Sequence, residues 1–192
     1  MSNILFLDLD GPAFPDAVIQ YHPDNRRAYP GTADMGQELQ YWKMCERFKH
    51  LYMQMYETRE FEVVISSAWR KYHKSKECFY DLFEQNGLPL NLHNDWKTIV
   101  ISGNTYGCYS SGYTPYCTRA DEIHEWIMRH KEIKDFAIFD DPDSGISLDA
   151  TNSFWNTTHE YMRDAIILVD PDVGFGSYHI QQALLATQKW VK

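Results

Sequence analysis

Residues 4–11 of this chain read Ile-Leu-Phe-Leu-Asp-Leu-Asp-Gly, a short apolar run that closes with two aspartates and a glycine. A nearly continuous apolar run of this length is typical of a strand buried on both faces of a parallel sheet. Functional residues in such sheets usually follow the carboxyl ends of the strands. We therefore predict that Asn3–Leu9 forms the first strand and that Asp8 and Asp10 lie at a functional edge of the sheet.

Outward from this strand, apolar segments of strand length alternate with amphipathic segments of helix length. The predicted further strands are Phe61–Ile65, Phe136–Phe139 and Ala165–Val169, with Thr98–Ser102 as another candidate. The predicted helices run from Gly36 to about Thr58, from Ser75 to Asn86, from Thr118 to about His130 and from about Ser177 to Trp190. This alternation predicts an α/β fold, a three-layer doubly wound parallel sheet with right-handed crossovers.

Length and composition favour one domain spanning residues 1–192. The chain has 192 residues, of which 44% are hydrophobic, and that is enough to bury a core. Segments rich in glycine, proline, serine and asparagine predict loop or hairpin insertions at about 12–35, 91–117 and 143–163. Cys45, Cys78, Cys108 and Cys117 lack paired C-x-x-C spacing, which predicts reduced thiols rather than a zinc site or a disulfide framework.

The charge and hydropathy of the chain exclude several classes of partner. A formal net charge of -9 disfavours non-specific attachment to nucleic acid or to an anionic membrane, because both surfaces would repel the protein at long range. No stretch approaches the roughly 18 apolar residues of a membrane span, and no signal-peptide pattern begins the chain. We expect no membrane partner and a cytoplasmic location, while the oligomeric state stays open.

Two of the predicted strands end in acidic residues, Asp8 and Asp10 in one case and Asp140 and Asp141 in the other. Adjacent parallel strands deliver their carboxyl ends to one edge, so the four carboxylates are expected to converge. Such a cluster repels itself unless a hard cation occupies it, and Mg²⁺ prefers one or two carboxylates together with phosphate oxygens and water. The pattern predicts a site for Mg²⁺ and a phosphate. By contrast, Asp143, Asp149 and Asp170 are interpreted as loop acids.

These residues carry a family resemblance. The segment Ile4–Gly11 resembles the first motif of the haloacid dehalogenase-like (HAD) superfamily, whose phosphatases use a D-x-D signature after the first strand. Three further motifs of that superfamily follow in order. They are matched by Ser66 at the end of the second strand, by the cation Arg119, and by the acidic pair Asp140 and Asp141. The segments SSAWR, TRADEIHEWI and FAIFDD are similar to small HAD phosphatase domains of nucleic-acid repair proteins and of bacterial and phage genomes.

The resemblance implies a role for each matching residue. Asp8 would be the nucleophile that forms an aspartyl-phosphate, and Asp10 the general acid and base. Ser66 and Arg119 would neutralise the phosphoryl oxygens. Mg²⁺ would be held by Asp8, by Asp10 through its backbone carbonyl, and by Asp140 or Asp141.

Some assignments keep an alternative. Lys97 is the alternative to Arg119, because the superfamily more often has lysine at the third motif. Ser67 could exchange roles with Ser66 in binding substrate. Arg70 is either a surface residue or a second phosphate contact near a helix N-terminus.

The function implied is a Mg²⁺-dependent phosphohydrolase acting on a nucleotide or a nucleic-acid end. The alternatives are a phosphatase for an unrelated small metabolite and a catalytically silent phosphate-binding or interaction protein, since a fold alone does not name a substrate. The insertions at about 12–35 and 91–117 are too short to form the large cap domain common in the superfamily. An open site is therefore expected, and such a site could admit a polymer end, with further phosphates meeting Arg70, Lys71 or Lys74.

Overall fold

A five-stranded parallel sheet forms the centre of the computed structural model, which describes residues 2–15, 42–71, 75–99, 119–141 and 160–191. The strands are β1 (Asn3–Leu7), β2 (Glu62–Ile65), β3 (Leu92–Lys97), β4 (Asp135–Asp140) and β5 (Ile166–Leu168). They lie in the order β3-β2-β1-β4-β5, and every neighbouring pair is parallel. The predicted doubly wound α/β fold is confirmed.

Four α-helices lie within the described ranges, and all pack against this sheet or its flanking core. They are α1 (Glu46–Thr58), α2 (Glu77–Gln85), α3 (Arg119–Arg129) and α4 (Ser177–Ala186). Short 3-10 helices cover Ala68–Lys71, Glu160–Ala165 and Gln188–Trp190. Helix α1 shows why these helices pack against the core: its apolar residues recur every three or four positions and form one buried face. They are Phe48, Leu51, Tyr52 and Met55.

The two faces of the sheet carry separate hydrophobic cores. Because side chains alternate along a strand, Leu5 and Leu7 of β1 point to one core while Ile4 and Phe6 point to the other. The first core is completed by helices α1, α2 and α4, and the second by α3 and the 3-10 helix Glu160–Ala165. The result is the predicted three-layer arrangement, with β1 in the middle of the sheet.

Helix α1 begins later than the sequence pattern predicted. Residues 42–45 are described and are not helical, and the helix starts at Glu46. The backbone amides just before it are used elsewhere: Met44 N donates to Asn86 Oδ1 at 2.8 Å, and Cys45 N donates to the Ala13 carbonyl at 2.9 Å. These long-range bonds engage the backbone just before Glu46 and keep Cys45 extended despite the apolar spacing.

The third strand also differs from its prediction. It is Leu92–Lys97, whereas Thr98 and Ile99 lie outside it and the remainder of the predicted Thr98–Ser102 lies outside the described residues. Leu92 and Trp96 are buried, but the residues between them are polar. An edge strand has one open side, so it tolerates polar residues that a central strand would exclude. Because Leu92–Lys97 belongs to the sheet, the prediction that the insertion at about 91–117 begins at residue 91 is wrong: its first residues form the edge strand.

Smaller differences occur at element ends. Helix α4 stops at Ala186, because Thr187 leaves helical geometry with φ of -101° and ψ of 10°, and a 3-10 turn follows. Helix α2 ends as predicted before Gly87, whose φ of 71° suits glycine.

Cys45 and Cys78 carry free thiols. Most of the predicted insertions, together with Thr118, Cys108 and Cys117, lie outside the described residues. Among the described helices, none is long and apolar enough to cross a membrane.

Candidate active site

The ends of β1, β2 and β4 meet at one edge of the sheet. Leu7 is in register with Ile65 on one side and with Phe139 on the other, so Asp8, Ser66 and Asp140 follow at equivalent positions. The ladder continues just past the strands: Asp8 N donates to the Phe139 carbonyl at 2.9 Å and Ser66 N to the Leu7 carbonyl at 3.0 Å. The strand order reverses between β1 and β4, which is where ligands bind in open α/β sheets.

Three aspartates form a buried cluster at this edge. Asp8, Asp140 and Asp141 are 3%, 0% and 5% exposed, and each offers a carboxylate oxygen within 4.8 Å of the other two. Buried carboxylates at this separation repel one another strongly unless a cation lies among them. Their hard oxygen donors match the preference of Mg²⁺, so the cluster fits the predicted metal.

Gly11 makes room for one member of the cluster. Its φ is 73°, a conformation that residues with a Cβ rarely adopt. A Cβ at this position would lie 2.9 Å from Asp141 Cβ and 3.0 Å from Asp141 Oδ2. The glycine of the first motif therefore does two things: it turns the chain, and it lets Asp141 approach the loop.

The carboxylate of Asp10 faces a different partner from the cluster. Trp69 Nε1–H donates to both of its oxygens, at 2.9 Å and 2.8 Å. Burial, followed by the charge of Asp8, raises the pKa of Asp10 to about 7, although the Trp69 hydrogen bond lowers it. Such a carboxyl group carries a proton in a large fraction of molecules near neutral pH. These contacts and the raised pKa fit the predicted role of Asp10 in proton transfer, and that role, like a metal contact through its backbone carbonyl, stays a prediction.

Arg119 lies among the acids, at the first residue of α3. Its Nη1 is 3.7 Å from Asp8 Oδ1 and 3.9 Å from Asp140 Oδ2, and it donates to the Ser66 carbonyl. Burial lowers the pKa of Arg119, but the surrounding carboxylates, with Asp8 and Asp140 foremost, raise it above the ordinary value. The alternative cation, Lys97, instead places Nζ 4.7 Å from the centre of the Trp96 ring. The geometry thus favours Arg119.

The two serines after β2 differ in their surroundings. Both side chains are fully buried. Ser67 Oγ accepts a hydrogen bond from Trp69 N at 3.3 Å, which places it in the local turn. Ser66 Oγ has no hydrogen-bond partner in the described part of the chain. A buried hydroxyl without a partner is costly, and a phosphate oxygen at this edge would satisfy it. Ser66 is therefore the better candidate for the second-motif hydroxyl.

Arg70 is not a surface residue, and its donors are already bound to groups of the protein. It is 3% exposed, and its guanidinium donates to the carbonyls of Thr98, Ser66 and Ser67 and to the carboxylate of Glu122. All of these hydrogen-bond acceptors are groups of the protein itself and none belongs to a substrate. The substrate-binding prediction for Arg70 is thus not supported by its contacts.

The chain matches, over residues 4–180, the family model described as the HAD domain in Swiss Army Knife RNA repair proteins. It belongs to this HAD family. The resemblance seen in the four motifs is thereby confirmed. Comparisons with curated proteins and with solved structures found no match.

Two residues of this HAD domain escaped the sequence interpretation, Trp69 and Glu122. Trp69 lies within the SSAWR turn, and an indole N–H next to a predicted carboxylate site could have marked it as a donor. Glu122 follows Arg119 by three residues, a spacing that puts two side chains on the same helix face. Asp170 was interpreted as a loop acid, and its exposed carboxylate accepts from Asp172 N and Val173 N within a turn. Asp143 and Asp149 lie outside the described residues.

Proposed function

We propose that this HAD domain is a Mg²⁺-dependent phosphohydrolase that removes a phosphate from a nucleic-acid end or a nucleotide through an aspartyl-phosphate on Asp8. One observation carries the proposal: the Asp8 carboxylate lies at the end of the central strand, within the three-acid cluster and 3.7 Å from a buried guanidinium. A nucleophile, a set of metal ligands and a cation for the phosphoryl oxygens are thus side by side.

Asp8 together with Asp140 or Asp141 would hold the metal, with the Asp10 carbonyl as a further ligand. When bound, Mg²⁺ supplies positive charge that draws a phosphate to the cluster and offsets the repulsion between the acids. The remaining chemistry belongs to side chains of this chain.

In the first step, a carboxylate oxygen of Asp8 attacks phosphorus, and the bond between phosphorus and the leaving oxygen breaks. Asp10, whose pKa of about 7 lets it hold a proton near neutrality, gives that proton to the leaving oxygen. In the second step, Asp10 accepts a proton from water as the water attacks phosphorus, and the bond between Asp8 and phosphorus breaks. Inorganic phosphate leaves, and both aspartates return to their starting states.

Ser66 and Arg119 act on the charge that spreads over the phosphoryl oxygens during both steps. Ser66 Oγ is a buried donor at the end of β2, and Arg119 is charged at every working pH. Fixed donors of this kind are the main protein contribution to phosphoryl transfer, since the reaction needs positioning and electrostatic stabilisation more than covalent chemistry.

The substrate class comes from the family description, which concerns RNA repair. Removal of a terminal phosphate from an RNA or DNA strand would fit that setting. A mononucleotide or another small phosphate ester is the competing substrate, because the same residues would act on any accessible monoester.

The test is turnover of an aryl phosphate by the wild-type protein and by Asp8→Asn, with Mg²⁺ or with excess EDTA. Asp8→Asn should fold, because the amide has nearly the same shape, but it cannot form the covalent intermediate. If it keeps more than about a tenth of the wild-type rate, a loss of under roughly 1.4 kcal/mol, Asp8 is not the nucleophile. Full activity in EDTA would exclude the metal site, and absence of any wild-type turnover would favour a silent phosphate-binding protein.

A further inference from the structure

We propose that Glu122, anchored by Arg70, is a positioning residue that orients the Arg119 guanidinium toward the phosphate. The inference rests on the proposed phosphohydrolase function and adds to it two residues outside the four motifs. Arg70, Arg119 and Glu122 form a buried charged group, with side chains 1%, 9% and 4% exposed.

Arg70 is the fixed end of this group. Its Nε donates to the Thr98 carbonyl at 3.1 Å, and its Nη1 donates to the Ser67 carbonyl at 2.6 Å and to the Ser66 carbonyl. Thr98 follows β3, and the two serines follow β2. The guanidinium therefore joins the carboxyl ends of two neighbouring strands, and the planar fork of donors leaves it little freedom to rotate.

Glu122 connects this fixed arginine to the catalytic edge. Arg70 Nη2 donates to Glu122 Oε2, and the same oxygen is 3.8 Å from Arg119 Nε. Two buried guanidinium groups repel each other, and a carboxylate between them offsets that repulsion. The pKa of Arg70 shows the balance: burial and then the charge of Arg119 lower it to about 10, while Glu122 opposes the change.

The arrangement fixes which side of Arg119 faces the reacting groups. Nε faces Glu122, whereas Nη1 lies 3.7 Å from Asp8 Oδ1 and 3.9 Å from Asp140 Oδ2. A guanidinium can meet both sets of partners because its donors are spread over a rigid plane, whereas a lysine ammonium is a single point on a flexible stem. Glu122 thus gives a physical reason for an arginine at a position where the superfamily more often has lysine.

The experiment is a double-mutant cycle on the full chain with Glu122→Gln, Arg119→Ala and the double variant. The matched control is Glu125→Gln, which changes an exposed acid on the same helix. Two quantities are measured with Mg²⁺ present: kcat/KM for an aryl phosphate, and the affinity for inorganic phosphate by calorimetry. Circular dichroism establishes that each variant is folded, and Glu122→Asp, which keeps the charge on a shorter side chain, replaces Glu122→Gln if that variant does not fold.

Glu122→Gln should lower kcat/KM and phosphate affinity by about 10-fold or more when Arg119 is present, but by less than about 2-fold in the Arg119→Ala background. Glu125→Gln should change neither. An equal loss in both backgrounds, or no loss with Arg119 present, overturns the proposal. If the wild-type protein has no turnover, the proposed function fails by itself, and the phosphate affinities of the same four proteins still decide whether Glu122 positions Arg119.

Discussion

The indole Nε1–H of Trp69 donates to both carboxylate oxygens of Asp10, although the two residues are 59 positions apart in the sequence. The indole is itself held in place, because its ring stacks on Phe14 and meets Trp42 edge to face. Trp69 therefore sets the direction of the side chain that is proposed to donate the proton, and the surrounding aromatic packing keeps that direction constant.

Trp69→Phe should impair proton donation while preserving most of the packing. General acid catalysis matters most when the leaving oxygen is a poor leaving group, so the loss should depend on the substrate. We expect kcat/KM to fall by about 10-fold for an alkyl phosphate and by less than about 3-fold for p-nitrophenyl phosphate. Trp96→Phe, at a buried indole on the edge strand, is the control. Equal losses on the two substrates would show that Trp69 does not act through Asp10.

Asp10→Asn should change the pH dependence of stability in the metal-free protein. Burial and the charge of Asp8 raise the pKa of Asp10 to about 7, so the folded state holds the proton more tightly than the unfolded chain. The stability that Asp10 contributes is therefore complete below about pH 4 and lost as the pH rises through 7.

Asparagine does not ionise, so the variant escapes this loss. In EDTA, the difference in Tm between Asp10→Asn and wild type should become more positive, by about 5 °C, between about pH 4.5 and pH 8. Thermal unfolding monitored by circular dichroism measures it. The exposed acid Asp164 supplies the control Asp164→Asn. A difference that stays constant with pH would contradict the raised pKa.

Gly11→Ala, compared with alanine at another glycine of positive φ, should distinguish the effect of backbone strain from the effect of displacing Asp141 in the acidic cluster. The new Cβ would meet Asp141 at 2.9–3.0 Å, so the carboxylate must move, in addition to the roughly 1 kcal/mol cost of a positive φ for alanine. Gly87→Ala is a close control, since its φ is 71° and a Cβ there meets nothing within 4 Å. Both variants should lose stability, but only Gly11→Ala should lose most of the rise in Tm that Mg²⁺ produces. A normal Mg²⁺ response in Gly11→Ala would argue against Asp141 as a ligand.

The substrate prediction compares a terminally phosphorylated RNA or DNA oligonucleotide with the matching mononucleotide. If the polymer end is the substrate, kcat/KM should be at least comparable for the oligonucleotide, and added salt should weaken its use, because phosphates further along the strand would bind basic side chains. Arg70 is buried and is not expected to be one of them. A preference of more than about 100-fold for the mononucleotide, roughly 2.7 kcal/mol, would replace the polymer-end function with that of a nucleotidase or metabolite phosphatase.

The parts of the site that the sequence could predict are those that depend on strand ends. Asp8, Ser66 and Asp140 each follow an apolar run, and a parallel sheet places such positions at one edge whatever the intervening chain does. The contacts of Trp69 with Asp10 and of Glu122 with Arg70 depend instead on how helices and turns are oriented above that edge, which no periodicity records. The same limit explains the start of α1, where Met44 N and Cys45 N donate hydrogen bonds to residues distant in sequence and override an apolar spacing that favours a helix.

The central position of β1 has a consequence for how the candidate site is assembled. Asp8 lies beside Asp140 only where β4 is paired with β1, residue by residue from Asn3↔Asp135 to Leu7↔Phe139. A chain in which β4 is unpaired would leave Asp8 without the acidic partners and the parallel neighbour that define its surroundings. The candidate site is therefore a property of the paired sheet: local opening of β4 would remove it even while β1 stayed paired with β2.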